Sequence, residues 1–258
     1  MNIEGKNIVL TGASSGIGLE LLTKLASFKD VKIIAVARHV ENIKTVENKI
    51  YPFSADLSSP EGVDSLFDYA ANIFGHIDIF IANAGFAYIE RLDKPDWKHT
   101  ENIFSLNVFS QIYSLQKFVK QAGGKPKKFV STVSGAGLVS LPAYSLYCST
   151  KAALHHFIQT YRFECEKELS ITAVYPVATR TAFFDKAANT EGTPLPSPVQ
   201  TTETVARKII KGILKDKKTV YPSLLFRLSY PIGRAFPFLL KMYSLTEKRK
   251  LKKWLDKE

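Results

Sequence analysis

Short apolar runs alternate with longer stretches of helical periodicity along most of the chain. Runs rich in Val, Ile and Phe predict β-strands over residues 7–10, 31–37, 51–55, 77–82, 129–133, 171–175 and 219–221. Apolar residues at helical spacing predict helices over residues 17–28, 61–74, 97–121, 145–169 and 204–214, with a turn-rich stretch over 186–200. This alternation predicts a single α/β domain of the doubly wound, Rossmann type, with a parallel sheet between two helical layers.

The pattern changes after residue 222. We therefore expect one main domain over residues 1–222 and a C-terminal extension over residues 223–258. Pro231 and Pro237 exclude one continuous helix, so we expect several short amphipathic helices packed on or beside the substrate cleft. Basic residues recur every seven positions in this extension, at Arg227, Arg234, Lys241 and Lys248.

Composition and charge limit the kinds of molecule that the protein is expected to bind. The 258 residues are 45% hydrophobic and 23% charged, which is enough for a folded core, and 35 Lys and Arg against 24 Asp and Glu give a net charge of +11. This excess favours anionic partners. We expect no nucleic acid, because no recognition motif accompanies the charge. For the C-terminal extension two interpretations stay open: a cap over the cleft with a basic tail in solvent, or peripheral attachment to an anionic membrane.

The cysteine content and the N-terminal sequence indicate the cellular compartment of the protein. Two cysteines, Cys148 and Cys165, are too few for a disulfide framework or a four-ligand zinc site, and we expect no bound metal. We see no signal peptide and no apolar stretch long enough to span a membrane. These features predict a cytoplasmic protein, with membrane association at most at the periphery.

A glycine-rich turn joins the first predicted strand to the first predicted helix. Its Gly-x-x-x-Gly-x-Gly spacing leaves no Cβ atoms in the way of a phosphate group, and the backbone N–H groups of the helix end favour an anion. Two serine hydroxyl groups in the turn can donate further hydrogen bonds. The expected phosphate contacts are Gly12, Ser14, Ser15, Gly16, Ile17 and Gly18.

Tyr147 and Lys151 stand four residues apart in a helical stretch, so they share one face. A free tyrosine, with a pKa of about 10, is a poor acid–base group at neutral pH. We expect the Lys151 ammonium to lower the pKa of the Tyr147 phenol and so to suit it to proton transfer at an alcohol or carbonyl oxygen.

These motifs resemble those of the short-chain dehydrogenase/reductase family, over about residues 5–181. Thr-Gly-Ala-x-x-Gly-Ile-Gly at residues 11–18 is similar to its cofactor motif, and Tyr-x-x-x-Lys at 147–151 to its catalytic pair. The resemblance implies a catalytic tetrad of Asn107, Ser134, Tyr147 and Lys151. In it, Ser134 would bind the substrate oxygen, Asn107 would hold a relay water, and Lys151 would also bind the nicotinamide ribose.

The end of the second predicted strand bears on cofactor choice. Ala37 stands where an acid would bind the ribose of NAD, and Arg38 suits a 2′-phosphate, so we expect NADP(H) to be favoured over NAD(H). The resemblance implies further cofactor contacts from Asp56, Leu57, Asn83, Ala84, Gly85, Pro176 and Thr181, besides Tyr147 and Lys151. The chain departs from the family pattern at Ala82, where Asn is usual, and at Val177, where Gly is usual.

Together these features predict an NADP(H)-dependent short-chain dehydrogenase/reductase. Residues 1–222 would form its dinucleotide-binding catalytic domain, and the enzyme would be an oxidoreductase of the carbonyl reductase type that interconverts a carbonyl and a secondary alcohol. Leu138, Val139 and Leu141 indicate an apolar substrate, such as a lipid, steroid-like or acyl ketone. The family resemblance implies a homodimer formed through the two long helices. The main alternative is a non-catalytic NADP(H)-binding regulator or scaffold. An epimerase or dehydratase is disfavoured by the glycine spacing.

Overall fold

A computed structural model describes residues 1–121, 127–188 and 193–255, and the side chains of the last helix as far as Lys252. The predicted sheet is present and all of its strands are parallel. The strands are β1 (Asn7–Thr11), β2 (Lys32–Ala37), β3 (Ile50–Ser54), β4 (Ile79–Ala82), β5 (Lys127–Thr132), β6 (Leu169–Val174) and β7 (Thr219–Val220). Their order is β3-β2-β1-β4-β5-β6-β7, so the predicted doubly wound fold is confirmed.

Helices cover both faces of the sheet. They are α1 (Gly16–Leu25), α2 (Pro60–Phe74), α3 (Trp97–Phe104), α4 (Ser110–Lys120), α5 (Ser145–Tyr161), α6 (Phe183–Ala188), α7 (Thr202–Leu214), α8 (Leu224–Ala235) and α9 (Pro237–Leu255). Buried residues of α1 and α7 pack on one face, and those of α2, α4 and α5 on the other. Each strand of the sheet centre is therefore buried on both sides, which explains its continuous apolar runs.

The helix predicted over residues 97–121 is interrupted at its middle. A π-helical turn, Ser105–Phe109, separates α3 from α4. The wider turn places Asn107, a poor helix former, at a completely buried position. The predicted end of this stretch at Gly123 and Gly124 lies outside the described residues, as does Gly192 of the turn-rich stretch. Residues 186–188, the start of the turn-rich stretch, belong to α6.

The helix predicted over residues 145–169 ends earlier, at Tyr161. The apolar periodicity continues through Phe163, but this ring is 92% exposed. Arg162 ends the helix by turning its guanidinium towards the sheet, where it donates to the carbonyl oxygens of Ile171 and Lys218. A contact with distant strands thus decided the boundary.

The C-terminal extension forms two helices rather than several short ones. Pro231 lies inside α8, and Pro237 is the first residue of α9, where its missing N–H group is not needed. The expectation of several short helices was wrong, because α8 continues past Pro231, which is exposed, and ends only before Pro237. Within the described residues, no helix is both long and apolar enough to cross a membrane, and no group of His, Cys, Asp and Glu could hold a metal ion.

Candidate active site

A cleft of about 1620 Å³ opens at the carboxyl ends of the strands. It extends over the junction of β1 and β4, where the strand order reverses, and such switch points are where doubly wound sheets bind ligands. The glycine-rich turn and the ends of β2 and β3 line one part of the cleft. Residues of α5, α6, α8 and α9 line the other.

The glycine-rich turn is shaped by close backbone contacts. Gly12 has φ +67°, and a Cβ there would lie 2.9 Å from the Cα of Ala84. A Cβ on Gly18 would lie only 1.8 Å from the carbonyl oxygen of Gly12, so glycine lets α1 start directly on the turn. No side chain caps α1 at Ser15, and no acid lies in its first turn. Its N–H groups therefore suit an anion, and the turn fits a phosphate group.

The end of β2 carries an exposed cation on the rim of the cleft. Arg38 follows Ala37 there and lies near Asp56, so its charge helps to lower the pKa of that carboxyl. The larger cause of the lowered pKa is a hydrogen bond from the backbone N–H of Ser58. Leu57 is buried beside them. A basic rim without an acid at the end of β2 fits a phosphorylated ribose.

Asn83 and Ala84 tie the ends of two strands together. Their backbone N–H groups both donate to the Thr11 hydroxyl at 3.0 Å, and the Asn83 amide donates to the Thr11 carbonyl oxygen at 3.2 Å. Gly85 follows at the cleft wall. The hydrogen bonds of Asn83 thus hold the cleft floor in shape, and Ala82, buried in β4, needs no polar partner.

Ser134, Tyr147 and Lys151 meet in the wall of the cleft. Burial raises the pKa of the Tyr147 phenol, and the nearby Ser134 side chain opposes part of this rise. The Ser134 hydroxyl accepts a hydrogen bond from the Ala136 N–H at 3.2 Å. Lys151 Nζ donates to the Thr132 carbonyl oxygen at 3.1 Å and lies 5.6 Å from the centre of the Tyr147 ring. Ser134 has φ +105°, a strained conformation of the kind that clusters at active sites.

The direction of the Tyr147 pKa shift is opposite to the expected one. Burial raises the pKa of Tyr147 to about 12 and lowers the pKa of Lys151 to about 7. Loss of water around both groups outweighs their mutual effect, because each charged form is desolvated. The phenol consequently keeps its proton at neutral pH, while the lysine is divided between its two forms.

Asn107 is buried behind this pair. Its amide donates to the Phe86 carbonyl oxygen at 2.8 Å and to the Thr150 hydroxyl at 3.1 Å, and its Oδ1 accepts from the Phe86 N–H at 3.0 Å. A Cβ on Gly85 would lie 3.0 Å from Asn107 Oδ1 and 3.6 Å from Lys151 Nζ. The glycine therefore lets the backbone approach both polar groups closely.

The segment after β6 brings Pro176 and Thr181 to the cleft. The Pro176 carbonyl oxygen accepts from the Gly135 N–H at 2.7 Å. A Cβ on Gly16 would lie 3.1 Å from the Thr181 methyl carbon, so Thr181 stands against the glycine-rich turn. Val177 lines the cleft at the position where the family pattern has glycine.

Sequence reasoning missed several aromatic residues of the cleft. Tyr144 is 1% exposed, and within the described part of the chain its hydroxyl has no hydrogen-bond partner. Burial raises its pKa strongly. The sequence feature that could have indicated Tyr144 as a site residue is its position three residues before Tyr147. Phe226, Tyr230 and Tyr243 come from α8 and α9, and only the fold brings them here.

Comparisons with known proteins agree on one family. A family model described as short chain dehydrogenase matches residues 6–192. An 11-beta-hydroxysteroid dehydrogenase of Pinus massoniana is 28% identical over 248 residues, which cover 85% of this chain and 67% of that protein.

Solved structures agree on the fold. A short chain dehydrogenase from Burkholderia cenocepacia in complex with NADP has a TM-score of 0.81 at 21% identity, over 95% of this chain and 99% of that one. One from Burkholderia phymatum in complex with NAD has a TM-score of 0.79 at 21% identity, over 93% and 96%.

Proposed function

The chain belongs to the short-chain dehydrogenase/reductase family of oxidoreductases, and on this premise we propose that it interconverts a carbonyl and a secondary alcohol with NADP(H). The observation that carries the proposal is the meeting of Ser134, Tyr147 and Lys151 in the wall of a cleft whose other end has a phosphate-sized glycine turn. A protein that only binds the cofactor needs no proton donor at this place.

The cofactor would lie along the carboxyl ends of β1, β2 and β4. Gly12, Gly16 and Gly18 would hold its pyrophosphate at the start of α1, and Arg38 would pair with a 2′-phosphate. Thr181 and Pro176 would border its nicotinamide end. The preference for NADP(H) is supported by the cation at Arg38 and by the lack of an acid at Ala37.

The bound nicotinamide supplies the hydride in reduction and accepts it in oxidation. Ser134 donates a hydrogen bond to the substrate oxygen and stabilises the negative charge that develops there. Tyr147 is protonated at neutral pH, so in reduction its hydroxyl gives the proton to that oxygen. The protonated fraction of Lys151 stabilises the resulting phenolate. Asn107 Oδ1 and Lys151 Nζ both lie next to Gly85, and a relay water held by Asn107 would return the proton.

An apolar substrate fits the remaining part of the cleft. Leu141, Phe183, Phe226 and Leu240 are among the residues that line it, and the Phe183 ring packs edge-on against Tyr147 at 5.7 Å. A Tyr144 hydroxyl available for a hydrogen bond suits a substrate with a polar group besides the reacting one. The hydroxysteroid dehydrogenase relative, by its name, acts on a substrate of this general kind.

The proposal is tested with the Tyr147→Phe variant and a panel of ketones and secondary alcohols, followed by NADPH absorbance. We expect turnover to fall by about 10²- to 10⁴-fold, because the proton donor is lost. NADPH binding, measured by fluorescence titration, should be unchanged. Full retention of function in Tyr147→Phe would instead support a regulator or scaffold.

The Arg38→Ala variant tests the proposed preference for NADP(H) over NAD(H). We expect NADPH to bind about 10- to 100-fold more weakly, because a charge-assisted hydrogen bond to phosphate is lost, while NADH binding stays within about twofold. An equal loss of affinity for NADPH and NADH would contradict the proposed role of Arg38.

The assembly we propose is a homodimer through the helices that flank the site, α4 and α5. Phe109, at the start of α4, is exposed next to the buried Asn107. Such a dimer would bury this ring and would support the π-helical turn from outside.

A further inference from the structure

The outer faces of α8 and α9 are apolar. Of the 17 exposed large apolar side chains among the described residues, nine lie between residues 224 and 245. They are Leu224, Leu225, Leu228, Ile232, Phe236, Phe238, Leu239, Met242 and Leu245. We call them the apolar face of the α8–α9 pair. Contiguous exposed apolar surface of this kind marks a binding site for an apolar partner.

Polar contacts hold one side of helix α9 against the body of the protein. Tyr243 donates to the Ser197 carbonyl oxygen at 2.7 Å, and Ser244 donates to the Ser140 carbonyl oxygen at 2.8 Å. Glu247, buried beside them, accepts from the Ser197 N–H at 3.4 Å. These contacts fix the rotation of α9, and Phe238, Met242 and Leu245 consequently stay exposed beside the basic residues of the helix.

The charge around the apolar face has one sign. Residues 224–255 contain eight Lys and Arg and one acid, Glu247, so this segment carries seven of the eleven net positive charges of the chain. Arg227, Arg234, Lys241 and Lys248 are exposed, whereas Glu247 is buried. Two copies of such a face would repel each other, while anionic lipid headgroups would attract it.

The apolar face continues into the cleft. Leu225, Ile232 and Leu239 are exposed on it and also line the cleft. The mouth of the cleft therefore opens within the same surface. A molecule dissolved in the acyl layer of a membrane could pass along these side chains to Tyr147 without crossing water.

We propose that the α8–α9 pair docks the protein onto a bilayer that contains anionic lipids, and that the substrate enters the cleft from that bilayer. Apolar side chains enter the boundary between headgroups and acyl chains, and the basic residues bind the headgroups. The entry of the substrate from the bilayer rests on the proposed function. The docking itself is supported by the apolar face and by the positive charge around it.

Flotation of the full-length protein with vesicles tests the docking. We expect binding to vesicles of phosphatidylcholine with phosphatidylglycerol, and at least about tenfold less to phosphatidylcholine alone or at high salt. Leu228→Ser with Phe238→Ser should reduce binding at least about fivefold, since neither side chain lines the cleft and both are exposed. Phe163→Ser, a change at an exposed aromatic ring elsewhere, is the matched control and should bind as the parent does.

Charge is tested separately with Arg227→Gln and Lys241→Gln in one chain. We expect at least about a tenfold loss of binding to the anionic vesicles, because each basic residue near the surface contributes about 1 kcal/mol. Lys44→Gln with Lys94→Gln removes the same number of exposed charges elsewhere and should have no effect.

Two results would overturn the docking. One is equal flotation of the parent and both α8–α9 variants. The other is no vesicle binding together with a lower oligomeric mass of Leu228→Ser with Phe238→Ser in light scattering, which would assign the face to a second copy of the chain. Tyr147→Phe should float like the parent, so a failure of the proposed activity is distinguished from a failure of docking.

Discussion

At the scale of single residues, burial rather than charge pairing controls the pKa values of Tyr147 and Lys151. The two residues lie on one helix face, yet the pKa of the phenol is raised and the pKa of the amine is lowered. Both shifts have the same largest cause, which is that the folded protein excludes water from the charged form of each group. The proposed proton donor is therefore neutral in the free protein, beside a lysine whose pKa is lowered to about 7.

The lowered pKa of Lys151 predicts how stability depends on pH. Between its folded pKa of about 7 and its ordinary 10.5, the unfolded chain binds a proton that the folded chain does not. The free energy of unfolding should therefore rise with pH above 7, by up to about 1.4 kcal/mol per pH unit from this group. Urea unfolding of the parent and of Lys151→Met at pH 7 and at mildly alkaline pH measures the difference. The variant should lack this part of the slope; parallel slopes would contradict the shift.

At the scale of elements, the contact between α1 and the end of β1 fixes the shape of the glycine-rich turn. Gly18 lies in the first turn of α1 against the Gly12 carbonyl oxygen, and Thr181 closes the turn from the other side at Gly16. The turn is therefore held by three separate segments of chain. Its shape depends on the absence of side chains at these contacts.

Gly18→Ala should lower the free energy of unfolding by more than about 3 kcal/mol, because the new methyl group would overlap backbone atoms that cannot move without displacing α1. Gly5→Ala is the matched control. Its φ is +68° but no atom lies within 4 Å, so only the backbone conformation opposes alanine, at a cost of about 1–2 kcal/mol. Urea titration measures the free energy of unfolding of both variants. Equal losses of this free energy in the two variants would contradict the close contact at Gly18.

At the scale of the whole molecule, two exposed surfaces are candidates for binding. One is the apolar face of the α8–α9 pair at the mouth of the cleft, and the other is the flank formed by α4 and α5, next to the exposed Phe109. We propose a membrane for the first surface and a second copy of the chain for the other. The two proposals concern different helices, so one does not exclude the other.

The dimer predicts that Phe109→Glu dissociates the protein. A charge buried in the interface without a partner is costly, so the mass measured by light scattering should fall from that of two chains to that of one. Val46→Glu, also at an exposed apolar position but near β3, should leave the dimer intact. A monomeric parent protein, or a dimer unaffected by Phe109→Glu, would contradict this interface.

The sequence by itself determined the fold class and the local chemistry. Buried parallel strands need continuous apolar runs, so each strand was recognisable, and the glycines of residues 12–18 and the Tyr147 and Lys151 pair are set by local spacing. The boundaries of helices were less predictable. The end of α5 depends on Arg162 reaching β6 and β7, and the π-helical turn at Asn107 depends on bonds to Phe86 and Thr150.

Only the tertiary structure decided the charge states of the pair and the composition of the cleft. A pKa depends on how much water surrounds a group, which no spacing along the chain reveals. Tyr144 is buried, and Phe226 and Tyr243 join the cleft, through packing between segments far apart in sequence. The orientation of α9, which places Tyr243 and Ser244 against the body of the protein, likewise follows from contacts with Ser140 and Ser197 and not from its own periodicity.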